Sequence, residues 1–161
     1  KTFEREGVGL NVHAHLLSAE EVVGKKEEGE GKKRPDHMRS WEARLKWVTP
    51  ETREMVHKLI KRVESELPGI SHEPRLRWYY FYKGEGRSLK YLFAVLMIGK
   101  KEVKVRIKAD PVKFKDLQKW TKKYKGWFFA RKYEEREFSI STPEQLDYAI
   151  QLIKQSYNIS Q

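Results

Sequence analysis

Residues 101–109, KEVKVRIKA, alternate charged and apolar side chains. As a strand they send Val103, Val105 and Ile107 to one face, and Glu102, Lys104, Arg106 and Lys108 to the other. Neighbours on one face then stand about 7 Å apart, a step that suits successive phosphates of a nucleic-acid backbone. Further along, Lys115, Lys119, Lys122 and Lys123 fall at helical intervals, and Arg131 and Lys132 follow them. Trp127, Phe128 and Phe129 lie among these cations, and Trp78-Tyr79-Tyr80-Phe81-Tyr82 forms an earlier aromatic run. Cations neutralise phosphates and exposed rings stack on bases, so the pattern is that of polyanion binding.

Other chemistry is poorly represented. His13 and His15 share one face of a strand-like run, a spacing a metal can use, but no third ligand is evident. Asp36 and the later Glu42-Ala43-Arg44 have some residue types of a restriction-type nuclease core, but at a spacing that does not fit one. Gly84-Glu85-Gly86 reads as a hairpin turn, not a phosphate loop, and no serine nucleophile sits in a glycine-framed elbow. There is no cysteine, which excludes disulfides, thiolate metal sites and a cysteine nucleophile. Asp147 reads as a structural residue beside an apolar stripe. The expectation is a non-catalytic chain with no cofactor and no metal.

The charge is unevenly placed. Net charge is +11, and residues 99–132 hold 13 Lys and Arg against 3 Asp and Glu. Nearly all the excess therefore lies in one contiguous stretch. No run of about 18 apolar residues exists, and no signal-peptide pattern follows Lys1. A charged fraction of 35% with few Asn suits an intracellular, cytoplasmic protein of a thermophile. The beginning at Lys1 reads as that of a piece of a longer protein.

The elements that must carry these residues are legible from caps and stripes. Thr49-Pro50 opens a helix with Met55, Val56, Leu59, Ile60, Val63 and Leu67 at helical spacing, and Pro68-Gly69 closes it. Asp110-Pro111 opens a second, with Phe114, Leu117, Trp120 and Tyr124 on one face and Gly126 at its end. Thr142-Pro143 opens a third, with Thr142 and Gln145 as a capping box and Leu146, Ala149, Ile150, Ile153 and Tyr157 as its stripe. Strands are expected at 75–83, 88–98 and 101–109, then a hairpin of 127–133 and 136–141 around Glu134-Glu135. The order α-β-β-β-α-β-β-α gives an α+β fold, an antiparallel sheet of about five strands with three helices. Residues 24–37 contain no Ala, Val, Ile, Leu, Met, Phe, Tyr or Trp, so 24–44 reads as a flexible linker. Residues 1–23 read as the tail of a preceding domain or a docking arm, and 45–161 as the folded domain.

The stretches TPETREMVHKLIKRVESELPG, DPVKFKDLQKW and STPEQLDYAIQLIKQSY resemble a small domain of unknown function, some of whose family names call it a "predicted transport protein" domain. The resemblance covers roughly residues 45–158. It is most specific at Thr142, Leu146, Asp147, Tyr148, Leu152, Ile153, Gln155, Ser156 and Tyr157. In that family the domain often follows a restriction-type nuclease domain. Gly126-Trp127 matches a glycine-rich loop of the family, but the FFARKYEERE that follows is longer and more basic. The resemblance implies an accessory domain of a restriction or defence system. Together with the basic region it leads to the expectation of a nucleic-acid-binding module, DNA ranked before RNA. The expected contacts are Lys104, Arg106, Lys108, Lys115, Lys119, Lys122, Lys123, Trp127, Arg131 and Lys132. The alternative is a protein-interaction or assembly module of such a system, and a nuclease domain is the expected partner in either case.

Overall fold

Thr49 caps the helix α2, Pro50–Glu66, by accepting a hydrogen bond from the Thr52 N–H at 3.3 Å, and Pro50 takes the first position. The stripe Met55, Val56, Leu59 and Val63 is buried as its spacing demands. In this computed structural model, which describes residues 35–126 and 128–160, that stripe packs on one face of a six-stranded antiparallel sheet. The strands are β1 (Ile70–Arg75), β2 (Trp78–Lys83), β3 (Leu92–Ile98), β4 (Val103–Ala109), β5 (Lys122–Tyr124) and β6 (Glu134–Ile140), in the spatial order β1-β2-β3-β4-β6-β5. A 3₁₀ turn at Pro143–Gln145 leads into α3, Leu146–Ile159, which lies across β3 and β4 beside α2. The Gln145 side chain accepts hydrogen bonds from the N–H groups of Ser141 and Thr142 and so closes that corner. Leu146, Ile150 and Ile153 are buried. The fold is α+β with three helices, two of which are those the periodicities require.

Two of the expected elements differ. No helix spans 110–126. Asp110 begins one turn, with the Phe114 N–H bonded to its carbonyl at 3.0 Å. The chain then loses its donors to side chains. Gln155 of α3 accepts from Lys115 N–H at 2.8 Å, the Tyr148 hydroxyl accepts from Gln118 N–H at 3.1 Å, and Asp116 accepts from Thr121 N–H at 2.6 Å. The segment runs as loop into β5, and β5, not 127–133, is the strand that pairs with β6. Glu134 and Glu135 lie within β6, so they are not the tip of a hairpin.

The boundary at 44/45 also moves. Helix α1, Trp41–Trp47, is capped by Ser40, and Trp41 is buried in the main core. Arg44 is buried too, and its Nε donates to the Ile98 carbonyl at 2.5 Å. Residues 41–44 are thus part of the domain, because a helical stripe of Trp41, Leu45 and Val48 packs on the same core. Asp36 and Glu42 lie on a 3₁₀ turn and on α1, both exposed, and not on adjacent strands of a nuclease core. The expectations for 1–23 and for 24–34, including the His13 and His15 pair, fall outside the described residues. Among the described residues no helix is long and apolar enough to cross a membrane.

Ser156 joins the layers. Its hydroxyl donates to the Phe93 carbonyl at 2.5 Å and accepts from the Lys108 N–H at 3.1 Å. The register of β2 on β3 shifts just beside this point, between Phe81 and Tyr82. A helix side chain thus occupies a place in the ladder between β3 and β4 that strand pairing leaves open.

Candidate nucleic-acid interface

Val103, Val105 and Ile107 are wholly buried against the helices, so β4 does send its charged residues to the opposite face. That face is not open to water. The chain beyond β5 folds back so that Phe128 joins Tyr82, Leu92 and Val95 in a second apolar cluster, with Trp78, Tyr80, Tyr91 and Phe129 packed around it. Arg106 is enclosed there. Its side chain is 11% exposed, its Nε donates to Glu137 at 2.8 Å, and its guanidinium lies 3.7 Å from the Tyr124 ring centroid and 5.0 Å from that of Trp78. An arginine held by a carboxylate and by rings has no free face for a phosphate.

Lys108 is 2% exposed. Burial, then the nearby charges of Lys132 and Lys83, lower its pKa to about 8. Lys104 alone of the three keeps substantial exposure, 38% of its side chain, with a loose 3.9 Å pair to Glu102. The outward basic row is therefore one half-buried lysine, one structural arginine and one buried lysine.

Lys115 and Lys119 are exposed on the loop that α3 holds in place. Phe114 and Trp120 of that loop pack on the helix-side core. These lysines belong to the helix side of the sheet and Lys104, Arg106 and Lys108 to the other, so the two rows do not form one surface. The β5 edge gathers a different group. Lys122, Lys123 and Lys125 are exposed around Tyr124, which is 40% exposed. Lys123 pairs with Glu134 at 2.9 Å. Among the described residues Lys115, Lys119, Lys122 and Lys125 make no ion pair, and Asp116 is held by Tyr148 and Thr121. Burial would raise the Asp116 carboxyl, but those hydrogen bonds outweigh it and keep it low. Arg131 and Lys132 are exposed in the loop before β6. Trp127 lies outside the described residues.

Two features were absent from the sequence reading. Arg75, Arg77 and Arg87 lie over the rings of Tyr80, Trp78 and Tyr82 at 5.4, 5.8 and 5.7 Å. Alternation along β2 was the available signal, since it turns these three rings away from the helices. The other is Glu135, buried at the edge of the second cluster. Its pKa is raised by burial, against the opposing pull of Arg106 and a hydrogen bond from the Phe128 N–H. Its carboxyl group lies where a Cβ on residue 126 would be, which is why Gly126 is a glycine.

Among the described residues no group of acidic and histidine side chains is arranged to hold a metal. No protein-family model, curated protein or solved structure matches the chain.

Proposed function

We propose that the domain binds nucleic acid, DNA ranked before RNA, along the β5 edge, as an accessory module of a restriction or defence-type nuclease system in the cytoplasm. The observation that carries the reading is the edge itself: exposed lysines at 119, 122 and 125 that make no ion pair among the described residues, around a half-open tyrosine. Lys122 and Lys125 contact phosphates, with Lys115 and Lys119 on one flank and Arg131 and Lys132 on the other, while Lys123 stays paired with Glu134. Tyr124 offers one ring face to a base, while Arg106 covers the other. The resemblance to domains that follow restriction-type nucleases supplies the system.

The test is titration of a fluorescent oligonucleotide at several salt concentrations. Affinity should rise with oligonucleotide length and fall linearly, on logarithmic axes, with salt. Tyr124→Ala should cost about 1–3 kcal/mol of binding to single strands. No binding to any oligonucleotide at physiological salt would overturn the reading and favour an acidic protein partner for the same edge.

A further inference from the structure

A cleft of about 450 Å³ opens where the β2–β3 connection, the end of β4 and the loop before β6 meet. This is within the range of small-molecule sites. Its charged lining is wholly cationic: Lys90, Lys108 and Lys132. The rest is apolar or aromatic, chiefly Leu89, Phe129 and Tyr133. We propose that this cleft binds a phosphate monoester that carries a flat ring, a group of mononucleotide size.

Three ammonium groups without a counter-charge call for a ligand of more than one negative charge, and a phosphate monoester carries about −1.5 to −2 at neutral pH. Among the described residues no internal anion pairs with Lys108. Glu135, its register partner on β6, lies against Gly126, accepts from the Phe128 N–H and leaves its buried Oε1 without a hydrogen-bond partner, and no ion pair joins it to Lys108. Lys83 donates to the Tyr157 and Ser160 carbonyls at the end of α3, and the Tyr133 hydroxyl donates to the Ile159 carbonyl. Lys108 Nζ sits 5.0 Å from the Tyr133 ring centroid and has no hydrogen bond or ion pair among the described residues. Burying an ammonium group this way is unfavourable unless something compensates it. An anion in the cleft does so, and Phe129 and Tyr133 offer ring surface for its body. The lysines present point charges, which suit a phosphate seen from one side.

The test is calorimetric titration of the full chain with adenosine 5′-monophosphate, with adenosine and inorganic phosphate as separate probes. The monophosphate should bind, and each half alone at least about tenfold more weakly. Lys108→Met should weaken it by about tenfold or more, while Lys58→Ala on α2 should not. Lys132→Ala, at an exposed position, gives the same reading should Lys108→Met fold poorly. Affinity should fall as pH rises past 8, where Lys108 loses its proton.

Paired oligonucleotides with a 5′-phosphate or a 5′-hydroxyl separate the sources. A preference for the phosphate that disappears in Lys108→Met places a strand end in the cleft. Equal binding of the two alongside monophosphate binding makes the ligand a free nucleotide. Absence of monophosphate binding at millimolar concentration, or binding unchanged by both lysine variants, overturns the proposal. The cleft does not depend on the β5 edge: charge reversal at Lys122 and Lys125 should leave monophosphate binding intact.

Discussion

Arg106 and Lys108 stand two residues apart on one strand face, yet their environments are opposite. Arg106 has Glu137 at 2.8 Å and three rings around it, so its enclosure is compensated. Lys108 has other lysines for neighbours, and its folded-state pKa of about 8 lies below the ordinary 10.5. Below pH 8 both folded and unfolded chains hold the proton, and the full penalty of the buried charge is felt. Between the two values the unfolded chain holds a proton that the folded chain has released. This residue therefore makes the fold more stable as pH rises through that window, by about 2–4 kcal/mol. Lys108→Met keeps an unbranched stem and removes the charge. The variant should melt above the parent at neutral pH, and the gap should close as pH climbs past 8. Identical melting at neutral pH would mean that the ammonium is solvated. The parity of residue 108 was legible in the alternation of KEVKVRIKA, but its burial was not. The cover comes from residues 128–133, twenty or more positions away.

At the scale of elements, α2 and α3 were legible because caps, stripes and packing agree. The stretch 110–126 was not, because Phe114, Leu117, Trp120 and Tyr124 imitate a stripe. Leu117 is in fact 87% exposed, and α3 takes the backbone donors through Gln155 and Tyr148. No local pattern reports that competition. Strand β1 was passed over because ISHEPR is polar and contains Pro74, which only an edge strand tolerates. Helix α1 had its signal in Ser40 and in Trp41, Leu45 and Val48, hidden by the charged run before it. A chain beginning at residue 45 should therefore melt well below one beginning at residue 36, since it lacks Trp41 and the Arg44 bond to Ile98. Equal melting would show α1 to be dispensable. Asp147, Ser156 and Tyr157 of α3 act as ties between elements. Asp147 pairs with Arg62 of α2 at 2.6 Å, the Tyr157 hydroxyl donates to the Pro68 carbonyl at 2.6 Å, and Ser156 bridges β3 and β4. Ser156→Ala would leave a buried N–H and a buried carbonyl without their partner, and should lower stability by about 1–3 kcal/mol in chemical denaturation. A change within error would mean that β3 and β4 close up and pair directly.

Across the whole molecule, the concentration of charge in residues 99–132 does not become one uniform surface. The fold sorts those cations into three groups. Arg106 and Lys108 are enclosed, Lys104 and Lys123 have carboxylates nearby, and Lys100, Lys101, Lys113, Lys115, Lys119, Lys122, Lys125, Arg131 and Lys132 remain in water. Only the last group can release counterions from a polyanion without first breaking an internal contact. The variants divide accordingly. Arg106→Glu places a carboxylate beside Glu137 and close to Glu135 among apolar rings, so it should unfold the second face. Lost DNA binding in that variant would then report stability, with a fall in melting temperature as its mark. Lys119→Glu, Lys122→Glu and Lys125→Glu change side chains already in water, and each should leave the melting transition in place. Each lysine removed from a phosphate contact should reduce the slope of log affinity against log salt by about one, and should weaken all sequences alike. If the edge is the interface, the triple variant therefore loses binding at moderate salt while remaining folded, and the single variants fall between. If the triple variant binds DNA as the parent does, the β5 edge is not the interface. Its lysines then serve to keep one sheet from pairing with another.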